Sequence, residues 1–209
     1  MRLIFGGSFD PVHVGHLRIL RELAEVLGLH SAHLMPCKAP VHKASTEASL
    51  TARLDMLQRV CLDDDFYKLD SREINRSSLS YTIDSLLSLQ QDFPDESLVL
   101  VMGTDSALSL PRWHRSSELA SLCHLAILRR PGVSTETLAE GLSPLGFKQV
   151  LNADLLVAAK SGLALELNVQ QLDISSSDVR ARVKKGKNIR YLVTDAVFDY
   201  ICDNKLYRD

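Results

Sequence analysis

The sequence predicts an α/β fold in one domain spanning residues 1–209: a doubly wound parallel sheet with helices on both faces. Three observations carry this. Short apolar runs alternate with segments of helical period through most of the chain, the pattern of βαβ units. Residues 98–102 and 125–128 are continuous apolar runs, which suits strands buried on both faces. A glycine-rich turn joins the first such run to the first helical stretch.

In chain order, residues 3–5 form the first strand candidate. Leu17, Leu20, Leu23, Ala24 and Leu27 then recur at helical spacing, and Gly28 stands where a helix C-terminal glycine belongs. Residues 32–35 read as a strand. Residues 36–48 are polar, contain two prolines and read as a loop. Leu50, Leu54, Leu57, Val60 and Cys61 mark a second helix. Residues 66–69 are a short strand candidate, and residues 81–91 a helix with Ile83, Leu86 and Leu87 on its apolar side. After the strands at 98–102 and 125–128, residues 131–146 and 150–167 are less regular and read as an insertion within the same domain. Residues 175–185 open with serines and continue as a helix. Thr194 is an N-cap for a last helix over 196–204. The whole is a Rossmann-like order, with crossovers expected to be right-handed and ligands expected beyond the carboxyl ends of the strands.

Composition narrows the function. The chain is 45% apolar and 24% charged, ordinary for a globular protein. A net charge of −2 excludes a global positive field, so no nucleic-acid partner is expected and any phosphate binding must be local. The four cysteines are far apart with no CxxC pair, which suits reduced thiols in a cytoplasmic protein better than disulfides or a zinc site. No run approaches the ~20 apolar residues a membrane helix needs, and the N-terminus enters a strand without a signal-peptide pattern. No metal-ligand cluster is visible. The sequence leaves formation of a homo-oligomer open.

The densest signal is Gly6-Gly7-Ser8-Phe9-Asp10-Pro11-Val12-His13-Val14-Gly15-His16. A strand–turn–helix passage exposes backbone N–H groups at a helix start, where the dipole favours anions. Glycines let that backbone approach a phosphate closely. His13 and His16 lie one helical turn apart and can address one ligand. A tight turn with two surface histidines is the plainer reading of Gly6-Gly7 alone; the full run points to a polyphosphate site. This segment resembles the HxGH signature of the nucleotidyltransferase superfamily, and its wording resembles that of the bacterial nicotinate mononucleotide adenylyltransferases.

Four further segments stand beside it. Gly103-Thr104-Asp105-Ser106 follows the 98–102 strand. Asp105 there either caps a helix or, as the resemblance implies, lies near the adenosine ribose. Ile174-Ser175-Ser176-Ser177-Asp178-Val179-Arg180 reads locally as a helix cap, but hydroxyls and a guanidinium at a helix start also make an anion site. It is similar to the superfamily's Ile-Ser-Ser-Thr-x-x-Arg motif, which grips the nucleotide phosphates, with Ser177 in place of Thr. The loop Pro36-Cys37-Lys38-Ala39-Pro40-Val41-His42-Lys43 is a solvated basic loop by charge alone. By resemblance, His42 and Lys43 lie close to the reacting phosphates, and Cys37 stands where the family often has Asn, a better hydrogen-bond partner. Ser80-Tyr81-Thr82, with Trp113 and His114, would hold the nicotinate ring; Trp113 is otherwise a packing residue. Arg129 and Arg130 either face solvent or neutralise a substrate phosphate.

The resemblance implies transfer of the adenylyl group of ATP to nicotinate mononucleotide, giving nicotinate adenine dinucleotide and pyrophosphate. His13, His16 and Arg180 would act on the triphosphate. Gly6, Gly7, Ser8, Phe9, Gly103, Asp105, Ile174, Ser176 and Ser177 would complete the ATP site. Ser8, Lys38, His42, Lys43, Ser80, Tyr81, Thr82, Trp113, His114 and Arg129 would hold the acceptor. Mg²⁺ would be carried mainly by the ATP phosphates. The alternatives are another acceptor, such as nicotinamide mononucleotide or phosphopantetheine, and a non-catalytic nucleotide-binding module.

Overall fold

The structure, a computed structural model, describes residues 1–38, 46–76, 79–129, 135–169 and 172–208. Its elements are β1 (Arg2–Gly7), α1 (Val14–Leu27), β2 (Ala32–Pro36), α2 (Leu50–Asp63), β3 (Tyr67–Leu69), α3 (Arg72–Asn75) and α4 (Thr82–Asp92). There follow β4 (Leu98–Gly103), α5 (Thr104–Ser109), α6 (Leu119–Leu122), β5 (Cys123–Leu128), α7 (Thr135–Leu142), β6 (Lys148–Val150), α8 (Asp154–Ala158), β7 (Leu163–Leu167), α9 (Ser176–Lys184) and α10 (Asp195–Asp203).

The sheet has seven strands in the order β3-β2-β1-β4-β5-β7-β6, and every pairing is parallel. Period-2 alternation explains how apolar runs serve two cores. On β1, Leu3 joins the cluster that holds Leu20, Leu23, Met56, Leu57 and Ile201. Its neighbour Ile4 joins the opposite cluster, with Leu86, Leu89, Leu110 and Leu119. On β4, Val99 and Val101 face the first cluster, while Leu98, Leu100 and Met102 face the second. The chain starts at the sheet centre, runs outward through β2 and β3, and returns to β4 beside β1. The switch point therefore lies between β1 and β4, where an open α/β sheet has its ligand crevice.

The helix ends follow the local signals. Gly28 closes α1 in the left-handed region at φ 65°. Ser49 and Thr194 accept from the backbone N–H groups of Ala52 and Val197 as N-caps. The less regular stretches resolve differently from the expectation of an insertion. Residues 148–150 and 163–167 extend the sheet as β6 and β7, and α7 covers them on one side. β6 is a three-residue edge strand, too short to display a period. Asp105, read as a possible helix cap, is not one: Gly103 is the N-cap of α5, and Asp105 lies inside the first turn.

Beneath β1 and β2, Arg2 is held from three sides. It donates to His33 Nε2 at 2.9 Å and to Glu96 at 2.9 Å, and it lies over the Phe93 ring at 3.5 Å. Burial, then the Arg2 cation, pushes the His33 imidazole down to about 4, from 6.5. The folded protein thus keeps His33 neutral where the unfolded chain would take up a proton, so stability falls as pH drops from about 6.5 towards 4. His33→Gln keeps an acceptor for Arg2 without the titration. Its denaturation free energy is expected to fall less between pH 6.5 and 5 than that of the parent, the difference approaching about 1.4 kcal/mol per pH unit. Equal pH dependence of the two chains would refute the assignment.

Candidate active site

At the carboxyl ends of β1 and β4 the structure opens a cleft of about 590 Å³. Gly6, Gly7, Ser8, Phe9, His13 and His16 wall one side, Gly103 and Ser106 the floor, and Ile174, Ser175, Ser176, Ser177 and Arg180 the other side. Every residue expected at the ATP site is therefore gathered in one place except Asp105, which is exposed and not part of the wall. Ser106, on the same helix, faces the cleft in its stead.

The β1–α1 turn is shaped by its own side chains. The buried ring of Phe9 lies under Gly7; a Cβ on Gly7 would come within 3.2 Å of it. Phe9 takes φ 49°, and its ring meets those of Phe5 and His16 edge-on. His13 is the N-cap of α1 and His16 the third residue of its first turn. Their rings stack with centroids 3.5 Å apart and planes 21° apart. A Cβ on Gly15 would sit 3.0 Å from His13 Nδ1, so only glycine lets this ring pack down. The His13 backbone N–H donates to His16 Nδ1 at 3.3 Å. With Nδ1 accepting, the proton of a neutral His16 belongs on Nε2. Burial lowers the His13 imidazole to about 4, so it is neutral at pH 7. Its Nδ1 is buried without a hydrogen-bond partner among the described residues.

The α9 segment is fastened directly to this turn. Ser175 caps α9 by accepting from the Asp178 N–H at 3.1 Å. Ser176 Oγ donates to Pro11 O at 2.9 Å, and Arg180 Nη1 donates to Asp10 O at 2.7 Å. Arg180 Nε also pairs with Glu47 at 2.9 Å, and Lys184 reaches the other Glu47 oxygen. Those two cations, Lys184 first, hold the Glu47 carboxyl below its usual range. Two helix starts, at Val14 and Ser176, thus face one space, each with the free N–H groups that favour an anion.

Two supporting residues, Asp10 and Arg53, owe their roles to tertiary contacts that the sequence does not display. Asp10 is buried and accepts from the backbone N–H groups of Glu47 and Ala48 and from Tyr207 Oη, at 2.8, 3.1 and 2.9 Å. Burial, then Asp10, pushes the Tyr207 phenol far up, so it stays a donor. Arg53, fully buried, donates to Ser8 O, Cys37 O and Lys38 O, joining the turns after β1 and β2. An Asp after a glycine turn and an Arg on an amphipathic helix are common; only the tertiary contacts distinguish these two.

A smaller chamber of about 170 Å³ adjoins the cleft and shares Phe5, Gly6, Gly7, Gly103 and Ser106 with it. Ser80, Thr82 and Trp113 line it, as do Cys37 and the buried Glu73, which the sequence reading passed over. Trp113 Nε1 donates to Ser109 Oγ at 3.1 Å, fixing the indole in its loop. Tyr81 and His114 are not in the chamber wall but stack on each other with centroids 4.3 Å apart. Lys38 gives its ammonium to Arg76 O, and Arg129 lies 3.8 Å from Glu166. Neither lines cleft or chamber. His42, Lys43 and Arg130 lie outside the described residues.

Comparison with known proteins agrees with this geometry. The profile of the cytidylyltransferase-like family matches residues 4–182. A probable nicotinate-nucleotide adenylyltransferase of Methylococcus capsulatus is 38% identical over 205 residues, covering 98% of both chains. One of Cellvibrio japonicus is 39% identical over 206 residues, covering 98% of this chain and 97% of the other. Among solved structures, Plasmodium falciparum nicotinic acid mononucleotide adenylyltransferase complexed with NaAD superposes with a TM-score of 0.74 at 20% identity, covering 98% of this chain and 96% of that one. This last likeness shows the fold.

Proposed function

Since the chain belongs to the cytidylyltransferase-like family and, within it, to the nicotinate-nucleotide adenylyltransferases, we propose that it transfers the adenylyl group of ATP to nicotinate mononucleotide, forming nicotinate adenine dinucleotide and pyrophosphate in NAD biosynthesis. The observation that carries this reading is the docking of α9 on the β1–α1 turn, which makes His13, His16 and Arg180 walls of one cleft.

The acceptor's phosphate is the nucleophile. One of its oxygens bonds to the α-phosphorus of ATP while the bond from that phosphorus to the β-phosphate bridging oxygen breaks, and pyrophosphate leaves with the electron pair. The attacking oxygen is already anionic, so no general base is required. The chain's contribution is position and charge. Arg180 and the start of α9 take the β,γ-phosphates. The neutral His13 and the Nε2–H of His16 donate to the oxygens where charge develops. Ring and ribose of the acceptor enter the chamber beside Trp113, with the start of α4 at Thr82 offering N–H groups for the ring carboxylate. His42 and Lys43 are assigned to the incoming phosphate.

Among the described residues no group of three or more His, Cys, Asp or Glu is placed to hold a metal ion. Mg²⁺ is assigned to the nucleotide's own oxygens and water; when bound, it would neutralise phosphate charge. No helix among the described residues is long and apolar enough to cross a membrane. Four free thiols accord with a cytoplasmic setting.

The test is pyrophosphate release from ATP with each mononucleotide. The acid form is expected to exceed the amide form at least tenfold in kcat/KM, and Arg180→Ala to lose about two to three orders of magnitude. Release that is absent with the acid, or undiminished in Arg180→Ala, would refute the reading.

A further inference from the structure

The chamber beside the cleft has one charged side chain in its described wall, and it is a carboxylate. Glu73 sits on α3, 5% exposed. Ser85 Oγ donates to its Oε1 at 2.8 Å, and the Ser80 hydroxyl is hydrogen-bonded to it as well. The Arg76 guanidinium donates to Ser85 Oγ at 3.3 Å, one hydroxyl removed from the carboxylate. Burying a carboxylate among hydroxyls, with no guanidinium or ammonium in direct contact among the described residues, is costly. Burial raises the Glu73 pKa towards the neutral acid, and a ligand that brings a positive charge of its own would hold it ionised.

We propose that Glu73 is a specificity-determining residue for the acceptor: its buried carboxylate, in the same chamber as the Trp113 indole, selects a ring that carries a fixed positive charge. A pyridinium joined to ribose through its ring nitrogen is such a ring. It is drawn both to the aromatic face and to the anion, and both attractions gain from the exclusion of water. The acceptor is then read as a zwitterion: the start of α4 suits its carboxylate, and Glu73 suits its quaternary nitrogen. A neutral ring of the same shape lacks the second contact and leaves the Glu73 charge uncompensated.

This inference rests on the acceptor assigned above, and the experiment separates the two. Nicotinate mononucleotide, the charged acceptor, is compared with the analogue in which a benzoate ring replaces the pyridinium, which keeps the carboxylate and has a neutral ring in place of the positive nitrogen. The parent enzyme is expected to favour the charged acceptor at least tenfold in kcat/KM. Glu73→Gln is expected to raise KM for the charged acceptor about ten- to a hundredfold, to leave KM for ATP unchanged, and to leave KM for the neutral analogue within about twofold. Glu73→Asp is expected to retain the preference for charge. Equal loss with both acceptors would make Glu73 a structural support only and overturn the proposal. Should Glu73→Gln fail to fold, Trp113→Ala decides: a preference for the pyridinium that persists without the indole upholds the proposal, and a preference that vanishes with the indole overturns it. A parent enzyme inactive with nicotinate mononucleotide would instead remove the assigned reaction.

Discussion

His16→Ala is expected to lower kcat for pyrophosphate release by about two to three orders of magnitude, the usual loss when one preorganised donor to a developing oxyanion is removed. The expectation follows from how the ring is held. His16 lies on the first turn of α1, stacked on His13 and bonded through Nδ1 to the His13 backbone N–H. Its remaining nitrogen is the donor, and the ring lines the cleft. Beside it, His13 stays neutral because it is buried. Two imidazoles stacked this closely would repel if both were charged, which the neutral His13 avoids. His16 is less buried than His13, so its removal costs little packing, and the melting temperature is expected to stay within a few degrees of the parent's. Steady-state assays at saturating ATP check this. A kcat within tenfold of the parent's would show that His16 does not touch the reacting phosphate.

Arg53→Met is expected to destabilise the fold by about 3 kcal/mol or more, since it removes three hydrogen bonds made by a buried charged group, at about 1.5–3 kcal/mol each. Replacing a buried ion pair by apolar groups is often harmless, but the partners of Arg53 are main-chain oxygens of Ser8, Cys37 and Lys38, which stay behind when the guanidinium goes. Methionine keeps most of the stem volume, so the effect isolates the donors. For a chain of this size the melting temperature should drop by about 6–12 °C. KM for ATP should rise as well, because Ser8 belongs to the cleft wall. Thermal unfolding followed by circular dichroism measures the first effect; a shift under 2 °C would mean that the carbonyls find water instead.

What was legible in the sequence is what local chemistry dictates. The β1 strand, the glycine turn and the spacing of Leu17, Leu20, Leu23, Ala24 and Leu27 specify the start of the chain, and all five of those side chains are buried. Ser175 and Thr194 act as the caps their positions suggest. The contacts that join distant segments were not legible. Asp10 meets Tyr207 across nearly the whole chain, and Arg53 reaches back to Ser8. No periodicity announces such pairs. Asp105 shows the converse: placed beyond a strand and a glycine, it looked like a ligand residue, yet the helical turn directs Ser106 to the cleft instead. Glu73 was hidden because a charged residue in the polar stretch Asp70-Ser71-Arg72 carries no local signal, and only packing against Ser85 reveals that it is buried.

The most direct measurement is a crystal structure with a non-hydrolysable ATP analogue. The triphosphate should lie between the two imidazoles and the first turn of α9, with Arg180 released from Glu47 and bonded to phosphate. A nucleotide bound with its phosphates away from either segment would contradict the convergence of the β1–α1 turn and α9 on one ligand.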